Sequence, residues 1–436
     1  MYDPMLEGFI QNQVGEDHMI TIKTEIKGNM VKYTWNKRLK GLKGKTLWVE
    51  YDVDTSNMPR HLANFMFGLI VADPLSWEND TMVFDELTKD GLGCLQDFLE
   101  MYYHSKGGGG LTHDWGRYFP KVLGVSFGAT KLVESDQRED NGPILCANGL
   151  GKDGLTVSSM TKELGFDMRC FFVDGQFTEK VMVDRLDTMN KYYNMRDIES
   201  NIIKTNFFKI KGKWTGFNAY FFGIPLAYHY DSEAILAGVS VHQNKTQIGS
   251  TNIYSPGESM FGFNYVTKGS GIPTSSPVRS LSLYGVQKLL LDRYRDVLKY
   301  QRTCGLGSPW CNECAKCYRQ HLWMAAYGIE TTSIGFGPPN SADRDFYWRK
   351  NLEVYGFSAN TALNALKKLY GDPYETWIEE ANKTALELTW KGKDFKEIIL
   401  DHFDVYDYDR DDDGFGWMLQ PSRWRVWLEK GFGEII

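Results

Sequence analysis

The chain has 436 residues, a formal net charge of −7 and a hydrophobic fraction of 42%. This length predicts two or three domains with sizeable cores, and the negative charge argues against nucleic acid as a partner of the whole surface. The first twenty residues are acidic and lack the basic and apolar segments of a signal peptide, and no apolar run is as long as a membrane span. We therefore expect a cytoplasmic protein with no membrane partner.

The residues from 1 to 140 are predicted to form an N-terminal α+β domain. Residues 19–55 alternate apolar and polar side chains between Gly- and Lys-rich turns, which is typical of β-strands. Residues 58–105 carry apolar side chains at three- and four-residue spacing, which predicts helices. The Gly-rich stretch 105–116 is expected to be a loop, and the polar stretch 133–142 marks the expected domain boundary.

The residues from 141 to 338 are predicted to form a parallel-sheet domain, which makes the fold class α/β. The segment PILCAN reads as a buried strand, and a Gly-rich turn, a helix and a second strand, MRCFFVD, follow it. A further buried strand, AILAGV, and an amphipathic helix come before a cysteine-rich segment. Residues 339–436 are predicted to form a helical C-terminal region that carries an Asp-rich run.

Four of the seven cysteines cluster with the spacing C-x6-C-x2-C-x2-C. Tetrahedral zinc takes four soft ligands, and two-residue gaps allow tight turns to direct successive thiolates at one ion. A disulfide knot is the alternative, but such knots are typical of short secreted domains. Four protein ligands would close the coordination sphere, so we expect Zn²⁺ in a structural role. The predicted ligands are Cys304, Cys311, Cys314 and Cys317.

A glycine-rich loop follows the first strand of the parallel domain. Glycines there permit a tight turn and a close approach of the backbone to phosphate, although glycines after a strand often make only a turn. The next helix would offer its free N–H groups and positive dipole end to the anion. Lys152 is expected to add a mobile positive charge and Asp153 to hold Mg²⁺ on the phosphates of ATP, and these two are the catalytic candidates. The predicted nucleotide-binding residues are Gly149, Leu150, Gly151, Lys152, Asp153 and Gly154.

Polar residues at the ends of two other strands are further candidates. Ser240, His242 and Asn244 follow the strand AILAGV, and they are expected to contact a small-molecule substrate. Asp174 ends the strand MRCFFVD, where it could approach the ribose of ATP or magnesium. Ligands bind beyond the carboxyl ends of strands in α/β sheets. The alternative is that these are ordinary polar residues at strand ends.

The glycine-rich loop resembles the PP-loop of the ATP pyrophosphatase superfamily, usually written S-G-G-x-D-S, which lies on an adenine-nucleotide-hydrolase-like α/β fold. Leu150 replaces the middle glycine and Gly154 replaces the final serine. The hydroxyl that is missing at position 154 is expected to come from Thr156, Ser158 or Ser159. The positions that match the motif are Gly149, Gly151, Lys152 and Asp153.

The order of the two motifs is similar to that of the 7-cyano-7-deazaguanine synthases, in which a PP-loop precedes a four-cysteine zinc cluster. The segment SSPVRSLSLYGVQKLL at 275–290 resembles a helix entry of the same superfamily. Along residues 60–330 the chain is most similar to the UDP-N-acetylmuramoyl-L-alanyl-L-glutamate epimerases, which also carry a domain before the PP-loop. The stretches LANFMFGLIVADPLSW, DGLGCLQDF and YRQHLWMAAYGI carry this likeness.

These resemblances imply an enzyme that uses ATP, Mg²⁺ and Zn²⁺. It would adenylate a small carboxylate substrate and release pyrophosphate, and it would then epimerise a terminal glutamate of a cell-wall precursor. The first alternative is a nucleobase-modifying enzyme of the 7-cyano-7-deazaguanine synthase type. The second is a non-catalytic nucleotide-binding relative, which the substitutions at Leu150 and Gly154 favour.

Overall fold

A computed structural model describes most of the chain up to residue 335 and two short strands beyond it. The described residues are 19–37, 39, 42–71, 80–107, 126–136, 138–163, 165–175, 178–211, 216–239, 245–248, 251–254, 263–278, 283–307, 309–312, 314, 317, 320, 324, 329–335, 389–390 and 393–394. Of the predicted loop 105–116, residues 105–107 are the end of a helix rather than a loop, and residues 108–116 lie outside the described residues. Nearly all of the predicted helical region 339–436 also lies outside them.

The described part of the chain alternates strands and helices. The strands are β1 (Met19–Lys27), β2 (Met30–Trp35), β3 (Thr46–Glu50), β4 (Thr81–Phe84), β5 (Leu87–Thr88), β6 (Ser126–Ala129), β7 (Leu132–Val133), β8 (Ile144–Ala147), β9 (Met168–Val173), β10 (Glu199–Thr205), β11 (Ile235–Ala237), β12 (Lys245–Ile248), β13 (Thr251–Tyr254), β14 (Thr274–Ser275), β15 (Thr389–Trp390) and β16 (Lys393–Asp394). The α-helices are α1 (Arg60–Val71), α2 (Lys89–Gly107), α3 (Lys152–Glu163), α4 (Glu179–Arg196), α5 (Phe207–Lys211), α6 (Ile224–His229), α7 (Phe263–Ser270) and α8 (Leu283–Asp292). Short 3-10 helices cover Gly216–Gly223, Arg295–Tyr300 and Thr331–Ile334.

Ten of these strands form one mixed sheet in the order β14-β11-β8-β9-β10-β3-β2-β1-β4-β6. The five strands from β14 to β10 are all parallel. The pairs β10–β3, β3–β2 and β2–β1 are antiparallel, and β1, β4 and β6 are again parallel to one another. The predicted α/β class is confirmed. No helix in the described segments has the length and apolar character needed to cross a bilayer.

The sheet is continuous across the predicted domain boundary at residue 140. Strand β10 pairs with β3, and Asn206 fixes this junction because its side chain accepts a hydrogen bond from Trp48 N–H (2.9 Å) and donates one to the Thr46 carbonyl (3.0 Å). The division of the chain into the units 1–140, 141–338 and 339–436 stays a prediction.

The parallel half of the sheet reverses its strand order beside β8. The chain runs from β8 through β9 to β10 on one side, and it then crosses back to place β11 and β14 on the other side of β8. In an open parallel sheet, such a reversal leaves a crevice beyond the carboxyl ends of the two strands that flank it, and ligands bind there. The segment after β8, which contains the glycine-rich loop, and the segment after β11 border this crevice.

Two hydrophobic cores cover the sheet. The larger core contains the aromatic rings of the N-terminal half, where Tyr33 and Phe67 have centroids 4.6 Å apart. The second core lies around α3, α4 and α8, and it contains the side chains of both Leu150 and Cys304. The glycine-rich loop and the cysteine cluster therefore share one core, although about 150 positions separate them in the sequence.

Candidate functional site

The glycine-rich loop begins with an Asn turn at the end of β8. The Asn148 side chain accepts a hydrogen bond from Leu150 N–H (2.9 Å) and donates one to the Ser158 hydroxyl (3.0 Å). Leu150 has a φ of 59°, and its side chain is fully buried in the second core. A left-handed conformation costs a non-glycine residue about 1–2 kcal/mol. The hydrogen bond to Asn148 and the burial of the leucine side chain offset this cost, which gives Leu150 a structural role in the loop.

Three consecutive carbonyl groups of the loop accept hydrogen bonds from the side of helix α4. The bonds run from the Tyr193 hydroxyl to the Asn148 carbonyl (3.1 Å), from Arg185 Nη1 to the Gly149 carbonyl, and from Arg302 N–H to the Leu150 carbonyl (2.6 Å). In a planar trans peptide, the carbonyl and the following N–H point in opposite directions. The N–H groups of Gly149 and Gly151 are therefore directed away from α4, as a loop that cradles an anion requires.

Helix α3 starts directly after the loop, at Lys152. The first N–H groups of a helix have no acceptor within the helix, and the helix dipole makes this end attractive to an anion. The Lys152 side chain is only 2% exposed, and its ammonium group pairs with the carboxylate of Asp153. The expectation that Lys152 is a mobile charge is therefore wrong, because it is buried at the helix start. Asp153 is partly exposed, so one face of its carboxylate remains open to solvent.

Gly154 departs from the PP-loop pattern for a steric reason. A Cβ atom at this position would lie 2.8 Å from Asn148 Oδ1 and 3.2 Å from Asn148 Cα. A serine would therefore displace the Asn turn that shapes the loop. At Gly151, in contrast, a Cβ atom would meet nothing within 4 Å.

The hydroxyl groups of the first turns of α3 are buried. Thr156 donates its hydroxyl hydrogen bond to the Lys152 carbonyl (2.8 Å), and Ser158 lies between Asn148 and the Tyr192 hydroxyl (2.8 Å). Thr156 and Ser158 are fully buried, and Ser159 is 4% exposed. Thr156 and Ser158 therefore already have partners within the protein, and the expectation that one of the three hydroxyls reaches the phosphate stays a prediction.

The other predicted site residues divide into those the structure places and those it does not. Asp174 lies at the carboxyl end of β9, next to β8, and its carboxylate accepts a hydrogen bond from Gly175 N–H (2.5 Å). The predicted substrate residues Ser240, His242 and Asn244 lie outside the described residues. The roles of these four residues stay predictions.

The end of β11 packs closely against the start of α3. A Cβ atom at Gly238 would lie 2.6 Å from the Cβ of Asp153, so only glycine fits there. The next residue, Val239, is held by Ser276, whose hydroxyl accepts from its N–H (3.0 Å) and donates to its carbonyl (2.8 Å). The chain therefore leaves β11 beside the glycine-rich loop.

The four predicted zinc ligands come together. Their sulfur atoms all lie within 4.8 Å of one another, and the Sγ atoms of Cys311 and Cys317 are 3.8 Å apart. Tetrahedral coordination with Zn–S bonds of about 2.3 Å separates the sulfurs by about 3.8 Å, so this donor set fits a zinc ion. All seven cysteines of the chain are free thiols rather than disulfides. The cluster can hold a metal such as zinc.

The backbone around the cysteines is shaped for metal binding. The thiol groups accept N–H hydrogen bonds from Leu306, Cys314 and Cys317 at 3.3–3.4 Å. Gly307 is required, because a Cβ there would lie 2.5 Å from the backbone of Cys311. Hydrogen bonds with the Cys314 and Cys317 thiols lower the pKa of Cys304.

Arg185 joins the loop to the cysteine cluster. Its guanidinium donates one hydrogen bond to the Gly149 carbonyl and another to the Cys304 carbonyl (2.9 Å). Sequence reasoning missed Arg185 and Tyr193, because both lie on α4, outside either motif. Asn148 was also missed, although an Asn directly before a glycine-rich turn is a signal that could have identified it.

No protein-family model matches this chain, and no curated protein matches it. The assignments above therefore rest on the chemistry and the positions of the residues themselves.

Proposed function

We propose that this protein binds ATP with Mg²⁺ at residues 149–154 and transfers the adenylyl group to a small carboxylate, with release of pyrophosphate. The main support is the orientation of the loop at the reversal of strand order. Three of its carbonyl groups are tied toward α4, so the N–H groups of Gly149 and Gly151 are directed away from that helix. The resemblance to PP-loop enzymes agrees with this proposal and stays a prediction.

The proposed reaction is a substitution at the α-phosphorus of ATP. A carboxylate oxygen of the substrate forms a bond to this phosphorus while the bond to the bridging oxygen of the β-phosphate breaks, and pyrophosphate leaves with the electron pair. Bound Mg²⁺ would neutralise charge on the phosphates. The Asp153 carboxylate, which is partly exposed beside the loop, would hold this ion. The loop N–H groups and the Lys152 charge would stabilise the developing charge in the transition state.

The product of this step defines which reactions could follow. An acyl adenylate has a more acidic α-proton than the free carboxylate, which gives a route to epimerisation of a terminal glutamate. With a nucleobase acid, the same intermediate would lead to amide or nitrile synthesis. Chiral analysis of the amino acid after incubation with ATP would separate these two routes, because only epimerisation produces D-glutamate from L-glutamate.

A second candidate function is nucleotide binding without turnover. The burial of Lys152 favours it, and so do the hydrogen bonds that already engage the hydroxyls of Thr156 and Ser158 within the protein. Pyrophosphate release measured across a panel of carboxylic acids and nucleobase acids tests both functions. Release with any acid supports the enzyme, whereas ATP binding without release supports the binder.

A matched pair of lysine variants locates the nucleotide site. Lys152→Met should weaken ATP binding by about 1.5–3 kcal/mol, the range for a lost hydrogen bond to a charged group. Lys180→Met removes an exposed lysine of α4 and should leave the affinity unchanged. Calorimetric titration measures both, with thermal melting as a check that each variant is folded. Equal ATP affinity in wild-type and Lys152→Met protein would exclude this site.

A further inference from the structure

Arg185 is placed to transmit the state of the cysteine cluster to the glycine-rich loop. It is 4% exposed, and its two terminal nitrogens donate to carbonyl groups on either side of it, those of Gly149 and Cys304. The guanidinium group is planar and its N–H groups have fixed directions, so it holds both acceptors in one geometry. One acceptor belongs to the loop and the other belongs to a predicted zinc ligand.

Arg302 forms a second connection between the two regions. Its backbone N–H donates to the Leu150 carbonyl (2.6 Å), and Cys304 follows only two residues later. Its guanidinium holds the segment against α4 through Asp184 (2.9 Å) and Thr188 (3.0 Å). The backbone that carries the first cysteine ligand therefore also supports the loop.

A metal ion would determine how firmly these connections hold. Zinc bonded to Cys304 fixes the position of that residue, and with it the carbonyl that accepts from Arg185. Without the ion, only weak thiol hydrogen bonds join the four cysteines, and Cys304 is held by the contacts of Arg302 but no longer by a metal bond. A buried guanidinium whose acceptor has moved must find a new partner, because leaving it unsatisfied is unfavourable. Its bond to the Gly149 carbonyl, and hence the direction of the loop N–H groups, would change as well.

We propose that zinc occupancy of the cysteine cluster controls the affinity of the glycine-rich loop for ATP, and that Arg185 is the positioning residue that carries this coupling. The inference rests on the proposed nucleotide site. Coupling between two binding sites is reciprocal, so bound ATP would strengthen zinc binding by the same factor by which zinc strengthens ATP binding. Couplings of this kind commonly change affinity by about 5- to 150-fold, and we expect about tenfold here.

The experiment compares zinc-loaded protein with protein from which a zinc-selective chelator has removed the metal. Calorimetric titration with Mg-ATP should give a dissociation constant about tenfold larger for the metal-free protein. In the reverse direction, saturating Mg-ATP should raise the zinc affinity by the same factor, measured at equilibrium by competition with a coloured chelator. Circular dichroism and thermal melting determine whether the metal-free protein is still folded.

Two arginine variants on the same helix identify the residue responsible. Arg185→Lys keeps a positive charge but lacks the planar fork that holds both carbonyls, so zinc should still bind while ATP no longer raises the zinc affinity. Arg196→Lys is the matched control, because Arg196 lies at the end of α4 and pairs with Asp296 (3.1 Å). This control should behave as the wild-type protein does. Both variants are compared with zinc bound, so the comparison decides the matter even if the metal-free protein unfolds.

Hydrogen exchange separates failure of the coupling from failure of the nucleotide site. Exchange of the amides of residues 149–151 in the absence of ATP should accelerate on zinc removal, and Arg185→Lys should produce this acceleration with zinc still bound. If ATP does not bind but the amide exchange accelerates in both cases, the proposed function is wrong, while the structural coupling between the cysteine cluster and the loop is supported. Unchanged loop exchange on zinc removal would overturn the coupling, and an unaltered response in Arg185→Lys would overturn the role of Arg185.

Discussion

The polar groups beyond the two sets of parallel strands in the sheet differ in their hydrogen bonding. Three antiparallel pairings separate them, so the carboxyl ends of β1 and β4 lie at the edge opposite to those of β8 and β11. Beyond β4, Asp85 accepts from Arg60 (2.9 Å) and from Asn64 (2.8 Å), and Asn64 accepts from Thr24 (2.5 Å). These groups satisfy one another.

Beyond β8, in contrast, three successive carbonyl groups of the loop are bonded to Tyr193, Arg185 and Arg302. The N–H groups of Gly149 and Gly151 are therefore directed away from these partners. A cluster of polar side chains whose hydrogen bonds are all made within the cluster contributes to the fold. A loop whose carbonyl groups are bonded to the protein can instead offer its N–H groups to a ligand. This difference explains why the carboxyl end of β8, rather than that of β4, is the candidate site. The predictions below test it.

The largest effect is expected from loss of a metal ligand in the parallel half. Cys317→Ala should reduce the zinc content from one ion per chain to none, and it should lower the free energy of unfolding by about 4 kcal/mol or more, as loss of a structural metal does. Metal analysis and denaturant unfolding measure the two quantities. Cys94→Ala removes a buried thiol elsewhere and should keep the zinc. Full zinc content in Cys317→Ala protein would contradict the four-ligand site.

A substitution in the aromatic core of the N-terminal half should lower the free energy of unfolding nearly as much, but it should leave the zinc content unchanged. Phe67 is fully buried and packs against Tyr33 (4.6 Å) and Phe84 (6.2 Å). Phe67→Ala should destabilise the protein by about 3–5 kcal/mol, with zinc still bound in the folded state. Val183→Ala, at an exposed position, should change stability by about 0.5 kcal/mol or less. Zinc loss in folded Phe67→Ala protein would show that zinc binding by the cysteine cluster depends on the core of the N-terminal half.

Sequence patterns predicted part of the elements and identified the four clustered cysteines. The prediction of helices throughout residues 58–105 is wrong in part, because β4 and β5 lie within that stretch, and neither α4 nor β10 was predicted. Alternation predicted the strands between residues 19 and 55, and three- and four-residue spacing predicted helices α1 and α2. The cysteines were identified because their ligand spacing is local in the sequence. A local sequence pattern predicts a helix or a strand because its spacing of apolar residues matches the geometric period of that element.

The contacts that shape the loop were not predictable in the same way. Arg185 is 36 residues from Gly149 and 119 residues from Cys304, and no local pattern indicates that the three meet. Lys152 was expected to be mobile, but its side chain is buried and its ammonium group pairs with Asp153. Burial of a side chain depends on the surrounding fold, which the local sequence does not show. The continuity of the sheet across residue 140 also depends on a long-range pairing, that of β10 with β3.

A smaller effect is expected from restoring the serine of the PP-loop pattern. Gly154→Ser should destabilise the protein by about 1–3 kcal/mol, because the new side chain overpacks against Asn148. It should also weaken ATP binding rather than create activity. Gly151→Ala is the matched control at an open position, and its unfolding free energy should change by about 0.5 kcal/mol or less. Denaturant unfolding distinguishes the two variants. A Gly154→Ser protein of wild-type stability would mean that the Asn turn adapts.

The smallest effect concerns the edge of the sheet opposite the loop. His61 on α1 is 5% exposed, and burial lowers its pKa below the usual value, although the nearby carboxylates of Asp136 and Glu86 act in the opposite direction. Between the lowered pKa and the ordinary histidine value of about 6.5, the unfolded chain therefore binds more protons than the folded protein. Stability should consequently fall as the pH drops through this window and become constant below it.

Urea unfolding between pH 7.5 and pH 5 measures this dependence, and two histidine variants isolate its source. His61→Gln should flatten the slope, whereas His229→Gln, at an exposed position on α6, should leave it unchanged. Asp136→Asn removes a carboxylate that lies 4.0 Å from His61 Nε2 and favours the protonated ring, so it should steepen the loss of stability on acidification. A flatter slope in Asp136→Asn protein would mean that the carboxylate, rather than the buried imidazole, dominates the proton balance at this edge.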